Sequence, residues 1–374
     1  MLKLVGVRGL ALICCLAPLI GRAAPVLTED FELGLELKPV GAWDRIITGP
    51  ASVTLATTSV AAHRGKLGLK LVDGDGASGA GTQGGLQLQA TVTSGDFYVR
   101  SWVRLAASNG LGDFFFTYLQ SPGPLLTVNA GLQFPGPQLH IQSGGVSFFD
   151  DKTGAAFPLN EWVLVEVGLT GLGTSTGAER LWWNGSLVFQ RSGLAWSSTR
   201  LEQVAIGQSW ADDRRFIGEL HFDDVRFDTQ APASALALSA AAPATSCTAL
   251  TLSLSSSAGG MPVGPYAILA DVTGDVFSDD HCLVPTASLT IPAGAPSVTG
   301  SVRPGAVVRA RHPDFLEASL AVPVLPDSSV GVPLRPSEVG CGCSQAPSIL
   351  WAGAALTRGA WRRRRTKKVG ITRR

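Results

Sequence analysis

Tyrosine is scarce in this chain, with three residues among 374; there are two methionines and five histidines. These shortages remove many usual catalytic partners. No histidine pair has the His-Glu-x-x-His spacing of a helical zinc site, and no Gly-x-Ser-x-Gly elbow offers a serine nucleophile. Charge is sparse at 16% of residues, and no stretch carries the apolar period of an amphipathic helix of any length. What the chain has instead is glycine, 44 residues of it. That composition suits strands and tight turns in an extracellular setting and argues against a helical cytosolic enzyme.

The two ends differ from the body. Lys3 and Arg8 precede an apolar core, Leu10 to Ile20, followed by Arg22-Ala23-Ala24. A core that short suits a secretion signal over residues 1–24, cleaved after Ala24, better than a membrane span or a buried helix. Cys14 and Cys15 sit in mid-core, where lipidation does not take place, and leave with the signal. Three basic residues lie in 1–24 and nine from Arg358 onward, without an acidic residue in either stretch. The middle therefore holds 18 basic against 29 acidic side chains, a net −11. An acidic body excludes polyanion binding, so no nucleic-acid partner is expected for the folded domains.

Strand signals fill residues 27–230. Trp162 to Leu169 alternates, with Val163, Val165 and Val167 predicted to face a core and Glu166 to face solvent. Phe97 to Leu105 alternates in the same way and reads as a half-buried strand. Asn184-Gly185, between two aromatic or branched runs, predicts a two-residue hairpin with positive φ at both central positions. Phe216 to Phe227 is the predicted closing strand, and Asp73 to Gly85 reads as a loop. The words "FPLNEWVLVEVGL", "RLWWNGSLVF" and "ELHFDDVRFD" in this order resemble the concanavalin A-like lectin/glucanase (LamG-like) superfamily. The resemblance implies a jelly-roll sandwich, often sugar-related, and fixes no ligand.

Residues 231–245, rich in Ala, Pro and Ser, read as a linker. Residues 246–326 show short strands again, at Ala249 to Leu254, Ala287 to Ile291 and Val302 to Ala310. The words "CTALTLSL" and "ASLTIPAGAPSVTGSV" resemble bacterial immunoglobulin-like modules. Cys247 and Cys282 are the two cysteines between signal and tail, and an exported chain permits their disulfide. From Ser337 the order Cys341-Gly342-Cys343, a weakly apolar run, then Arg362 to Arg365 resembles the C-terminal sorting tail of myxobacterial surface proteins. That resemblance implies a sorting tail over 337–374 with processing near Cys341 or Cys343. Arg358 interrupts the apolar run, at roughly 2.5–3.5 kcal/mol near the middle of a span.

A search for chemistry returns little. The Glu-x-Asp-x-Glu strand motif of the glucanase branch fails at Glu219 and at Glu29, Glu32 and Glu36, so no glycosidase carboxylate pair is expected. Gln138-Leu139-His140 matches a strand motif of alginate lyases, without companion arginine- and tyrosine-rich strands; no residue is assigned as catalytic. Structural calcium has one candidate set in Glu29 and Asp30 with Asp223 and Asp224, if first and last strands are neighbours. Asp73-Gly74-Asp75 is a second candidate; the alternative reading is that Asp223 and Asp224 cap backbone amides and that Asp73 and Asp75 are turn formers. Among aromatics that sugars stack on, Trp182, Trp183 and Trp210 are the candidate ligand-binding residues, beside Trp196. Adjacent Trp182 and Trp183 must point to opposite faces of a strand.

The expectation is an all-β chain: a concanavalin A-like jelly-roll sandwich plus a smaller immunoglobulin-like β-sandwich. It is exported, secreted or at the cell surface, and touches membrane only through its signal and tail. Its expected function is non-catalytic binding of a glycan or another surface component. The alternatives are a polysaccharide lyase or glycoside hydrolase with an unrecognised site, and a structural spacer.

Overall fold

A computed structural model describes residues 26–324, apart from 39–40, 49–52, 75–81, 93–94, 121–126, 135–137, 144–145, 151–155, 197–200, 212–215, 243–245 and 263–265. The signal at 1–24 and the tail at 337–374, with Cys341 and Cys343, lie outside the described residues.

The first fifteen strands build the larger module. They are β1 (Leu27–Glu29), β2 (Arg45–Thr48), β3 (Val53–Thr58), β4 (Gly68–Asp73), β5 (Thr82–Val92), β6 (Asp96–Ser108), β7 (Asp113–Gln120) and β8 (Thr127–Gln133). Then follow β9 (Gln138–Ser143), β10 (Val146–Asp150), β11 (Val163–Thr170), β12 (Gly177–Trp183), β13 (Ser186–Leu194), β14 (Leu201–Ala211) and β15 (Gly218–Asp228). One sheet runs β13-β12-β11-β6-β15-β4-β3, with β1 added beside β15. The other runs β10-β9-β8-β7-β14-β5-β2. Long-range antiparallel neighbours of this kind make a jelly-roll sandwich.

Its core follows from the two-residue period. Val163, Val165 and Val167 point inward with Val99, Val103, Phe222 and Phe227 of the neighbouring strands, and all are buried in one cluster. Asn184 and Gly185 have φ of 46° and 76°, so the Asn-Gly turn between β12 and β13 has the expected positive φ at both positions. The first and last strands of the module pair, Leu27 opposite Phe227 and Glu29 opposite Val225. The loop predicted for Asp73 to Gly85 is shorter than expected, because β5 begins at Thr82.

The remaining strands are β16 (Ala235–Ala240), β17 (Thr248–Ser255), β18 (Ile268–Thr273), β19 (Val276–Phe277), β20 (Ser288–Ile291), β21 (Ser297–Val302), β22 (Val307–His312) and β23 (Phe315–Ala321). They run β19-β21-β17-β16-β23-β22-β18-β20, the two halves meeting where β16 lies parallel to β23. The halves enclose a second core containing Leu250, Leu252, Leu254, Ile268, Ile291 and Val308. Cys247 and Cys282 form a disulfide with Cα atoms 5.8 Å apart.

Two sequence expectations change here. The stretch read as a linker contains β16, whose small alternating residues pair with β17 from Ala235–Ser255 to Ala240–Leu250. The strand expected over Val302 to Ala310 is two strands, divided at a turn where Gly305 has φ of 82°.

A third correction concerns Glu166. Its neighbours point inward as predicted, so the register holds, but Glu166 is 3% exposed, not solvated. The outer face of the eight-stranded sheet is covered by the smaller module. Ser234 and Ser257 donate their hydroxyls to Glu166, and the Arg100 guanidinium donates to the Asp314 carbonyl and lies 5.4 Å from the Phe315 ring centre. β6 is buried on both faces: Arg100 lies under the smaller module, Trp102 stacks on His63 at 4.0 Å, and Tyr98 lies beside Trp182 over Gly168. The described residues, both modules included, form one compact unit.

Candidate functional site

The outer face of the seven-stranded sheet is the other polar face of the sandwich, with Gln87, Asn129 and His140 on it each largely buried. Its composition follows from the core pattern. Leu86 and Leu88, Val128 and Leu132, Leu139 and Ile141, and Val204 and Ile206 all enter the core. Their alternates, Gln87, Asn129, His140, Gln203 and Ala205, therefore point to the other side. On β7 an irregularity between Phe115 and Thr117 shifts the register and leaves Tyr118 opposite Asn129.

Cross-strand pairing arranges these residues in rows. Asn129, Tyr118, Ala205, Gln87 and Arg45 follow one another across β8, β7, β14, β5 and β2. A neighbouring row sets Gln120 against Gln203 and Gln203 against Gln89. A third places His140 opposite Gly131, and Gly131 opposite Phe115. The face is thus rich in side-chain amides, each carrying both donors and acceptors.

Local contacts fix several of these groups. The Tyr118 hydroxyl donates to Gln120 Oε1 at 2.7 Å, and burial pushes its pKa up, so the phenol stays protonated. His140 lies 4.4 Å from the Phe115 ring, with Nδ1 3.3 Å from an Asp113 carboxylate oxygen. Gln208 donates its amide to buried Asp73 at 2.7 Å. Gly207, with φ of 109°, takes a backbone conformation that a side chain would strain; an added Cβ would also sit 2.6 Å from the Gly84 carbonyl oxygen. Beside it a cavity of about 120 Å³ opens, lined by Ile47, Gly85, Tyr118, Gln203 and Gln208.

The residues chosen from sequence lie elsewhere. Trp183 is in the core, edge-on to Phe157 at 5.2 Å, and Trp196 is buried in the same cluster. Trp182 points to the opposite face as expected, but it too is buried, its ring lying across Gly168 beside Tyr98. Neither tryptophan of the adjacent pair is an exposed platform. Trp210 has its backbone on β14 opposite Phe115; its side chain lies outside the described residues.

The carboxylates proposed for calcium are engaged by backbone and indole donors. Glu29 accepts from the Phe31 amide at 2.8 Å and the Trp43 indole at 3.0 Å. Asp30 accepts from the Glu32 amide. Asp223 accepts from the His63 and Arg64 amides at 2.8 and 3.0 Å and from the Asp224 amide at 2.9 Å. Burial, then the Asp224 carboxylate, push Asp223 up to about 7, against those three amides. Among the described residues no group of three or more Asp, Glu, His or Cys side chains is placed to hold a metal. Glu29, Asp30 and Asp223 thus spend carboxylate oxygens on amide and indole donors, and Asp224 lies 3.4 Å from the His63 ring nitrogen. Asp73, from the second candidate loop, is buried against Gln208, and Asp75 lies outside the described residues.

The amide rows were missed at the sequence level, although a signal exists. "GLQLQ", "TVNAGLQ" and "QLHIQ" each alternate an aliphatic residue with an amide or histidine along most of their length. Only the last drew notice, for its histidine.

Fold and site together define a two-module β-sandwich protein with a polar, amide-lined sheet face. No protein-family model and no curated protein matches the chain. Solved structures similar to it include the cellulose induced protein Cip1, at 21% identity over 55% of this chain and 97% of that one, TM-score 0.44. An endo-β-1,4-glucuronan lyase from the fungus Trichoderma reesei is similar at 15% identity over 55% and 96% of the two chains, TM-score 0.41. The carbohydrate-binding module CBM66 from Bacillus subtilis is similar at 11% identity over 49% and 94%, TM-score 0.31.

Proposed function

We propose that this chain is an exported, non-catalytic glycan-binding protein, and that the outer face of the seven-stranded sheet carries the glycan. The observation behind this reading is the amide row. Gln87, Gln203 and Tyr118, with Asn129 in the same row, place amide and phenol groups side by side on a rigid sheet, although Gln87 and Asn129 are themselves buried; such a row suits a chain of sugar hydroxyls. The smaller module, which reads as immunoglobulin-like, buttresses the sandwich from the opposite side and spaces it from the cell surface. Residues 1–24 direct export, and the tail from Ser337 sorts or anchors the body.

The test is a glycan array probed with the exported chain, followed by calorimetric titration of each hit. The double variant Gln87→Ala, Asn129→Ala removes two hydrogen-bonding side chains at about 0.5–1.5 kcal/mol each, so affinity is expected to fall about tenfold. Unchanged affinity in a folded double variant removes this face from the binding site.

A second reading has one specific observation behind it. Tyr118 and His140 share this face, on β7 and β9 with only β8 between them, two strand spacings across and two residues along, roughly 12 Å apart. A protonated phenol and an imidazole are the acid and base that β-elimination on a uronate chain would use. Release of unsaturated product from a polyuronate, abolished by Tyr118→Phe, replaces the binding reading with this one.

A further inference from the structure

The two modules meet over the outer face of the eight-stranded sheet, and their junction encloses a cavity of about 510 Å³, within the range of small-ligand sites. We propose that this junction cavity is a second, separate binding site, and that its ligand is an uncharged sugar unit carrying adjacent hydroxyls.

The walls specify the chemistry. Arg100 and Arg226 line the cavity from directly opposite positions on β6 and β15, and both are buried. Arg226 donates to Asp228, and Arg100 to the Asp314 carbonyl, yet the Nε–H of each is buried without an acceptor among the described residues. Those two Nε–H groups are closed off from the cavity, so a ligand oxygen there meets the terminal N–H groups of the two adjacent guanidiniums. The smaller module supplies the opposing wall through Tyr266 and Asp314. The Asp314 carboxylate accepts from both Arg64 and the Tyr266 hydroxyl, which clamps one module to the other and closes the cavity. The site exists only in the docked pair.

Charge then selects among ligands. Asp30, Glu32 and Asp224 also line the cavity and oppose an anionic ligand. Arg64, Arg100 and Arg226 oppose a cationic one. An apolar ligand leaves both sets unsatisfied. Neutral vicinal hydroxyls meet both: each oxygen accepts from a guanidinium while its hydrogen is donated to a carboxylate. The inference concerns residues other than the amide-lined face and does not depend on it.

The experiment is hydrogen-exchange mass spectrometry on the full chain with cellotetraose, xylotetraose and mannotetraose. Tetragalacturonate and a chitosan tetramer serve as the anionic and cationic comparisons. At least one neutral tetrasaccharide is expected to slow exchange in the segments around Arg64, Arg226 and Tyr266. Its affinity should fall about tenfold in the double variant Asp30→Asn, Asp224→Asn and stay unchanged in Gln87→Ala, Asn129→Ala. Unfolding midpoints verify that both variants fold; should the first not fold, the wild-type protection pattern alone decides. The proposal is overturned if no neutral tetrasaccharide protects these segments, if only a charged one does, or if the folded Asp30, Asp224 variant binds as wild type. Binding lost only in the Gln87, Asn129 variant removes the cavity and leaves the sheet face standing; binding lost only in the Asp30, Asp224 variant places this ligand in the cavity and leaves the sheet face to its own test.

Discussion

At the scale of single residues, Asp223 shows how burial overrides a favourable local environment. Three amide donors would ordinarily hold a carboxyl low, but desolvation and the adjacent Asp224 push it up to about 7. The consequence for stability has a definite sign. Below about pH 4, near the ordinary carboxyl value of 3.8, folded and unfolded chains both hold the proton. Between about 4 and 7 the unfolded chain releases it while the folded chain retains it, so stability falls as pH rises through that window. Above about 7 both are ionised and the difference stops growing. Urea unfolding of the full chain at pH 4.5 and 7.5 should show this loss, and Asp223→Asn should reduce it; equal losses in both proteins would contradict the assignment. Glu166 teaches the same lesson about legibility. Alternation along β11 told correctly which side Glu166 takes. It carried no information on what covers that side, because the covering hydroxyls of Ser234 and Ser257 lie 68 and 91 residues away in the chain.

At the scale of elements, the legible features were those with a local cause. Asn184-Gly185 was readable because its backbone conformation excludes most other residues. The strands around Val163 to Thr170 and Asp96 to Ser108 were readable because a half-core face imposes a two-residue period. β16 was not, since "ALALSA" has the composition of a linker and becomes a strand only by pairing with β17. The split between β21 and β22 depended on a turn hidden inside an apparently continuous run. The candidate site was the least legible, because an amide on a strand looks like any solvated residue until cross-strand register lines Asn129, Tyr118 and Gln87 into a row. The disulfide, in contrast, was forced by arithmetic, and it carries an element-scale prediction. It ties the start of β17 to the loop before β20 across 35 residues of sequence. Closing such a loop contributes roughly 2–4 kcal/mol. Replacing both cysteines by serine should lower unfolding free energy by about that amount in denaturant titration, and a double variant as stable as wild type would show the staple to be dispensable.

At the scale of the whole molecule, the smaller module completes the larger one. It covers Arg100 and Glu166, which face each other across β6 and β11. Burial pushes the Glu166 carboxyl up and draws the Arg100 guanidinium down, each restrained by the charge of the other. A buried pair of this kind is costly to expose one-sidedly, because a partner left without its hydrogen bonds keeps part of the desolvation penalty. Removing the smaller module would take away the Ser234 and Ser257 hydroxyls, the Asp314 carbonyl and the Phe315 ring together, and would open a mixed face of Glu166, Arg100 and Arg226 with neighbouring aromatic side chains to water. The expectation is that residues 1–325 unfold in a single calorimetric transition, and that a chain ending at residue 230 unfolds at a lower temperature and tends to self-associate through the bared face. The junction cavity would be absent from that shorter chain, whereas the amide-lined sheet would persist, so the two binding surfaces should separate in the same preparation. Two independent transitions in the longer chain, the first at the midpoint of the shorter one, would mean that the modules are joined only by sequence. The buried charges at their boundary would then need another explanation.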